Sequence, residues 1–113
     1  MNAIKERRNN NRISINHPIF YTGKNSKRKS EEQGVGLALD ISVDGMMFES
    51  NEPIYSTKIS ISALINKCYT VKVEGFLIYS MPYAEGKFRT AIRFTGEPDQ
   101  NSSFFKQMCN DSG

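Results

Sequence analysis

From Ile13 onward the chain alternates. Ile13, Ile15, His17, Ile19 and Tyr21 take every second position against Ser14, Asn16, Pro18, Phe20 and Thr22, and side chains two apart lie on one face of a β-strand. The pattern predicts a half-buried first strand. In GVGLALDIS, residues 34–42, Val35, Leu37, Leu39 and Ile41 share one face, and Gly36, Ala38, Asp40 and Ser42 share the other. GMMFES, KISISALIN, YTVKVEGFLIYS and KFRTAIRFT follow, rich in β-branched and aromatic residues and separated by turn-forming clusters such as SNEP and MPYAEGK. About six strands emerge, and no helical stretch alternates with them. The expected architecture is all-β, a six-stranded antiparallel β-barrel, because closure removes the exposed edges of a small open sheet. Only NSSFFKQMCN reads as helix. Asn101 or Ser102 is its expected cap, and Phe104, Phe105 and Met108 form an apolar face suited to one mouth of the barrel.

Composition bounds the functional classes. A chain of 113 residues with 38% hydrophobic and 11% aromatic residues has the size and apolar content of one packed domain. No apolar run reaches the ~18 residues of a membrane span, and Met1 to Asn11 holds no secretion signal, so a cytoplasmic location is expected. Cys68 and Cys109 lack CxxC spacing and read as free thiols in a reducing compartment. Catalysis is not expected either. His17 is the one histidine, and no nucleophile motif, P-loop, metal cluster or cofactor motif accompanies it or Cys68.

The net charge of +3 is unevenly placed. Lys5, Arg7, Arg8 and Arg12 crowd the N-terminus, and Lys24, Lys27, Arg28 and Lys29 crowd GKNSKRKSEEQG, which reads as a solvated loop over residues 22–33. The other notable stretch is DISVDG, residues 40–45. On a strand, Asp40 and Ser42 project from one face, presenting an acceptor and a hydroxyl outward together. Gly45 follows where the chain leaves that strand, and allows either a positive φ or a close approach by another backbone.

Arg8 and Arg12 form RxxxR ahead of the first strand, and Asp40, Ser42 and Gly45 form DxSxxG at the end of the second. These motifs, in this order, resemble the PilZ family, whose members bind the bacterial second messenger cyclic di-GMP. VEGFLIYS and TAIRF, ending at Phe94, are similar to the late strands of a PilZ barrel, so the resemblance covers roughly residues 7 to 96. It implies a barrel of the split type over residues 13–96. Residues 1–12 would then be a basic segment, and residues 97–113 the helix and tail.

The chemistry agrees with what the resemblance implies. Cyclic di-GMP offers two phosphodiester charges and two guanines, each with O6 and N7 as adjacent acceptors. An arginine fork can donate two parallel hydrogen bonds to either target, and its flat face can stack on a base. Arg8 and Arg12 are thus expected to carry the ligand. Asp40 would accept from guanine N1 and N2, Ser42 would hydrogen-bond beside it, and Gly45 would keep the floor low. In the family, arginine at the position of Arg7 accompanies an intercalated cyclic di-GMP dimer, whose four charges would give a third guanidinium a partner. Asn9, Asn10 and Asn11 favour loop over helix. Mutual repulsion among the arginines is expected to keep residues 1–12 loose until the ligand clamps them and changes the surface shown to a protein effector. Only six residues precede Arg7, and the chain resembles stand-alone PilZ adaptors that act on motor, secretion or polysaccharide machinery.

Two alternatives remain at this stage. One keeps the fold without the ligand, as a protein-binding scaffold. The other is a nucleic-acid-binding barrel, which the low net charge and the repulsion of Asp40 and Asp44 for phosphates disfavour.

Overall fold

The computed structural model describes residues 11–25 and 30–112. Six strands form: β1 (Ile13–Asn25), β2 (Ser30–Ile41), β3 (Gly45–Ser50), β4 (Lys58–Ile65), β5 (Tyr69–Ala84) and β6 (Lys87–Phe94). A C-terminal helix, α1 (Pro98–Ser112), follows. The strands run β1-β2-β3-β6-β5-β4 around a closed barrel, and β1 pairs with β4 to complete it. Every pairing is antiparallel. The six-stranded all-β expectation is met. No helix among the described residues is long and apolar enough to cross a membrane.

Alternation fills the interior. Ile15, Ile19 and Tyr21 of β1 point inward beside Phe48, Ile59, Ile61, Val73 and Ile92 from the other walls, all buried. Tyr21 and Phe48 lie with ring centroids 5.6 Å apart. Thr90 is buried too, but its hydroxyl is 2.8 Å from that of Ser80, which in turn accepts the Ile54 N–H at 3.0 Å. Buried polar groups paired in this way avoid the desolvation cost of an unmade hydrogen bond.

Three elements differ from the sequence expectation. Residues 22–33 are for the most part strand: Thr22 faces Gln33, Gly23 faces Glu32 and Lys24 faces Glu31 in the β1–β2 ladder. The charged residues that suggested a solvated loop instead make cross-strand neighbours of opposite sign at Lys24 and Glu31. Glu32 accepts from the N–H groups of Tyr55 and Ser56 and from the Ser56 hydroxyl, pinning the β3–β4 connection. Lys27, Arg28 and Lys29 lie outside the described residues. Likewise, Met81 to Ala84 extend β5 and the turn shrinks to Glu85 and Gly86, the latter at φ +72°. Pro82 is tolerated because this half of β5 has β6 on one side and no β4 partner on the other. Finally, α1 starts at Pro98, where a proline fits the first helical position, and Asn101 lies inside it. The Asn101 side chain donates back to the Gly96 carbonyl at 3.1 Å.

The helix closes one mouth of the barrel. Phe104 and Met108 are buried, Phe105 is partly so, and Phe104 meets Phe94 edge to face at 5.8 Å. Its last turn carries Asp111, where a negative charge opposes the helix dipole. Two groups from the barrel offset this. His17 Nε2 lies 2.7 Å from Asp111 Oδ2, and the Asn66 N–H donates to Oδ1 at 3.0 Å. The other ring nitrogen of His17 is 2.8 Å from the Pro18 carbonyl. A carbonyl and a carboxylate only accept, so each contact is a hydrogen bond only when the ring nitrogen that makes it carries the proton.

The hydrogen bond from His17 holds the Asp111 carboxyl below its usual range; burial opposes this, while the Asn66 N–H and the charge of His17 reinforce it. A depressed carboxyl pKa contributes stability above the unfolded value, and that stability is lost as pH falls through the folded value. Asp111→Asn is therefore expected to lower Tm at pH 6, with the gap to the parent closing as pH approaches about 2. A gap that stays constant in thermal melts across this range would show that the charge of Asp111 contributes nothing.

Candidate ligand-binding site

The two motifs meet because β2 loses its register. Ala38 faces Phe48 but Asp40 faces Met47, so β2 carries one extra residue, Leu39, against β3. The β1–β2 ladder shifts at the same level, between Ser14 and His17. A bulge of this kind re-aims the side chains that follow it. Ala38 points inward, and strict alternation would send Asp40 inward with it. The slip instead turns Asp40 outward and brings Ile41 into the core. Consequently Val35, Leu37, Leu39 and Ile41 do not share one face as the sequence suggests: Val35 is exposed and Ile41 fully buried.

Outside the barrel, Arg12 Nη1 donates to Asp40 Oδ1 at 2.6 Å. The two residues are 28 apart in sequence and join the start of β1 to the end of β2. Their side chains are 55% and 27% exposed, and exposed ion pairs contribute about 0.2–1 kcal/mol. A weak pair is easily exchanged for a stronger anionic or guanine partner. It also places Arg12 already against the site, so loosening by charge repulsion does not extend to this residue.

Ser42 departs from the expectation that it faces outward beside Asp40. It lies past the end of β2 and is 3% exposed. Its backbone N–H donates to the Gly45 carbonyl at 2.9 Å, and its hydroxyl accepts the Asp44 N–H at 3.1 Å. Ser42 thereby shapes the turn that delivers Gly45. At Gly45 the need is for close approach, not positive φ: an added β-carbon would stand 2.3 Å from the Ile92 carbonyl oxygen. Arg7 and Arg8 lie outside the described residues.

The barrel adds residues that no motif announced. Gly45 faces Arg93 in the β3–β6 ladder, and Arg93 faces Phe76 in the β5–β6 ladder. Met47 faces Ala91, which faces Tyr79. Gly45, Met47, Ala91 and Arg93 alternate with the inward Met46, Phe48, Ile92 and Phe94, so all four belong to the outer face. On this face Gly45, Met47 and the buried Ala91 lie between the Arg12–Asp40 pair on one side and Arg93, Phe76 and Tyr79 on the other. Arg93 could have been suspected from TAIRF, where the residue between two buried positions must point outward, but its facing Gly45 depends on pairing between strands 48 residues apart. No group of three or more metal-ligating side chains occurs among the described residues.

No family model matches the sequence, and no curated protein matches it. Solved structures do match in shape. The Bacillus subtilis Inhibitor of motility (MotI/DgrA) aligns with a TM-score of 0.65 at 9% identity, over 92% of this chain and 50% of its own. The PilZ domain of YcgR from Escherichia coli, solved with c-di-GMP, aligns with a TM-score of 0.63 at 16% identity, over 93% of this chain and 91% of its own. MrkH from K. pneumonia in its apo state aligns with a TM-score of 0.59 at 13% identity, over 89% of this chain and 49% of its own. The chain thus spans about half the length of MotI/DgrA and of MrkH. The likeness is one of fold: six strands and a helix arranged as in a PilZ domain.

The contact at Gly45 generates a stability prediction. Gly45→Ala forces β3 away from the Ile92 carbonyl and is expected to destabilise the protein by about 1–3 kcal/mol, read as a lower urea midpoint. An unchanged midpoint would mean that the two strands can part there at no cost.

Proposed function

We propose that this chain is a cyclic di-GMP receptor of the PilZ type, acting as an adaptor and not as a catalyst. The observation that carries the reading is the 2.6 Å contact between Arg12 of RxxxR and Asp40 of DxSxxG, beside Gly45, on a barrel with the PilZ fold. In this reading Arg8 and Arg12 grip phosphate and guanine acceptors through their forks. Asp40, released from Arg12 or sharing it, accepts from guanine N1 and N2. Gly45 leaves room above the β3–β6 ladder. Ser42 contributes by holding the turn, and a direct bond from its hydroxyl to the ligand requires that the hydroxyl reorient.

Arg7 is assigned to a second ligand molecule, since an intercalated dimer doubles the negative charge at the site. In this reading the residues ahead of Arg12 close over the bound ligand and change the surface beside β1 and β2, and a protein effector reads that change. This reading implies a bacterial, cytoplasmic protein. The ligand-free scaffold is the outcome left if binding fails.

Isothermal titration with cyclic di-GMP, with GTP and cyclic di-AMP as controls, tests the reading. Selective binding is expected. Arg8→Ala and Arg12→Ala should each weaken it by about 2 kcal/mol or more, roughly thirtyfold. A stoichiometry near two ligands per chain would support the role of Arg7. Absence of binding at about 100 μM, equivalent to roughly 5.5 kcal/mol, would sink the receptor reading.

A further inference from the structure

Arg93 occupies a position that the RxxxR and DxSxxG motifs leave unexplained. It is exposed, stands directly across from Gly45, and makes no ion pair or side-chain hydrogen bond among the described residues. Several other charged residues of β5 and β6 have partners. Arg89 lies 3.5 Å over the ring of Tyr83, Lys87 reaches Glu49 at 4.0 Å, and Glu74 accepts from the Ser60 hydroxyl at 2.8 Å. Arg93 also sits two strands beyond Asp40, about 10 Å across the sheet, and two residues along from the level of Asp40, Met47 and Ala91; Gly45, directly opposite it, carries no side chain. A ligand held by Arg12 and Asp40 and extending across Gly45 arrives at its guanidinium.

The neighbours of Arg93 indicate which part of that ligand it meets. Phe76 stands beside it on β5, and Tyr79 follows after a register shift at Ile78; both are exposed, at 45% and 38%. Aromatic faces suit a base and give a phosphate nothing to bind. An arginine fork matches the paired O6 and N7 acceptors of guanine with two fixed parallel donors, whereas lysine offers a flexible point charge. We infer that Arg93 reads the O6/N7 edge of a guanine lying across Gly45 and Ala91 against Tyr79 and Phe76. This rests on the cyclic di-GMP reading above and assigns the far wall of the same site.

The test compares cyclic di-GMP with its 7-deaza analogue, which lacks N7, by titration into the wild type, Arg93→Ala and Arg93→Lys. Circular dichroism of each variant verifies the fold. Arg93→Ala is expected to bind cyclic di-GMP roughly tenfold more weakly. The penalty for the missing N7 should be several-fold smaller in Arg93→Ala than in the wild type, and Arg93→Lys should not restore affinity. Unchanged affinity in Arg93→Ala, an equal N7 penalty in both proteins, or full rescue by lysine would overturn the inference and leave the receptor reading standing. Failure of the wild type to bind cyclic di-GMP would overturn the receptor reading, and this inference with it.

Discussion

A single extra residue in β2 governs how this barrel is decorated. Period-two geometry would carry Asp40 to the same side as Ala38, into an interior lined by Ile19, Phe48 and Ile92. An unpaired carboxylate there would cost several kcal/mol in lost hydration. The slip at Leu39 avoids that cost and brings Ile41 into the core in its place. The same slip puts Asp40 within reach of Arg12 and sets the turn through Ser42 that ends on Gly45. Core packing and site geometry therefore have one cause, and neither can be altered at this level without the other.

Closure of the barrel does the rest. β3 pairs with β6 and not with β4, so the end of DxSxxG is laid against Arg93 and Ala91, and through them against Phe76 and Tyr79. Backbone contact is close enough at Gly45 that any side chain would meet the Ile92 carbonyl. An outer face with Gly45, Met47 and Ala91 between Arg12 and Arg93 is the consequence. Its Arg12–Asp40 pair is exposed enough to be weak, which suits a site whose internal contacts must yield to a ligand.

The opposite requirement applies at the helix. Phe104 and Met108 cover the mouth by apolar burial, while Asp111, His17 and Asn66 fasten the last turn by directed hydrogen bonds. His17, a solitary histidine in the sequence, is thereby accounted for as a structural tie between β1 and α1. Tyr69 adds a further tie through its hydroxyl to Gln107.

Alternation of apolar and polar residues, turn chemistry and the apolar face of the helix are local properties, and for that reason six strands, the all-β class and the covering role of Phe104 and Met108 were legible in the sequence. The resemblance carried by Arg8, Arg12, Asp40, Ser42 and Gly45 was legible as well, because motif spacing survives without coordinates. Charge misled over residues 22–33, where cross-strand pairing of Lys24 with Glu31 makes strand out of an expected loop. Periodicity misled at Leu39, since a bulge breaks alternation without changing composition. Only the tertiary structure decided that Ser42 turns inward, that Arg12 rests on Asp40, and that Arg93 faces Gly45. Each of these depends on the register between strands distant in sequence, which is set by the packing of the whole barrel and is written in no single stretch of the chain.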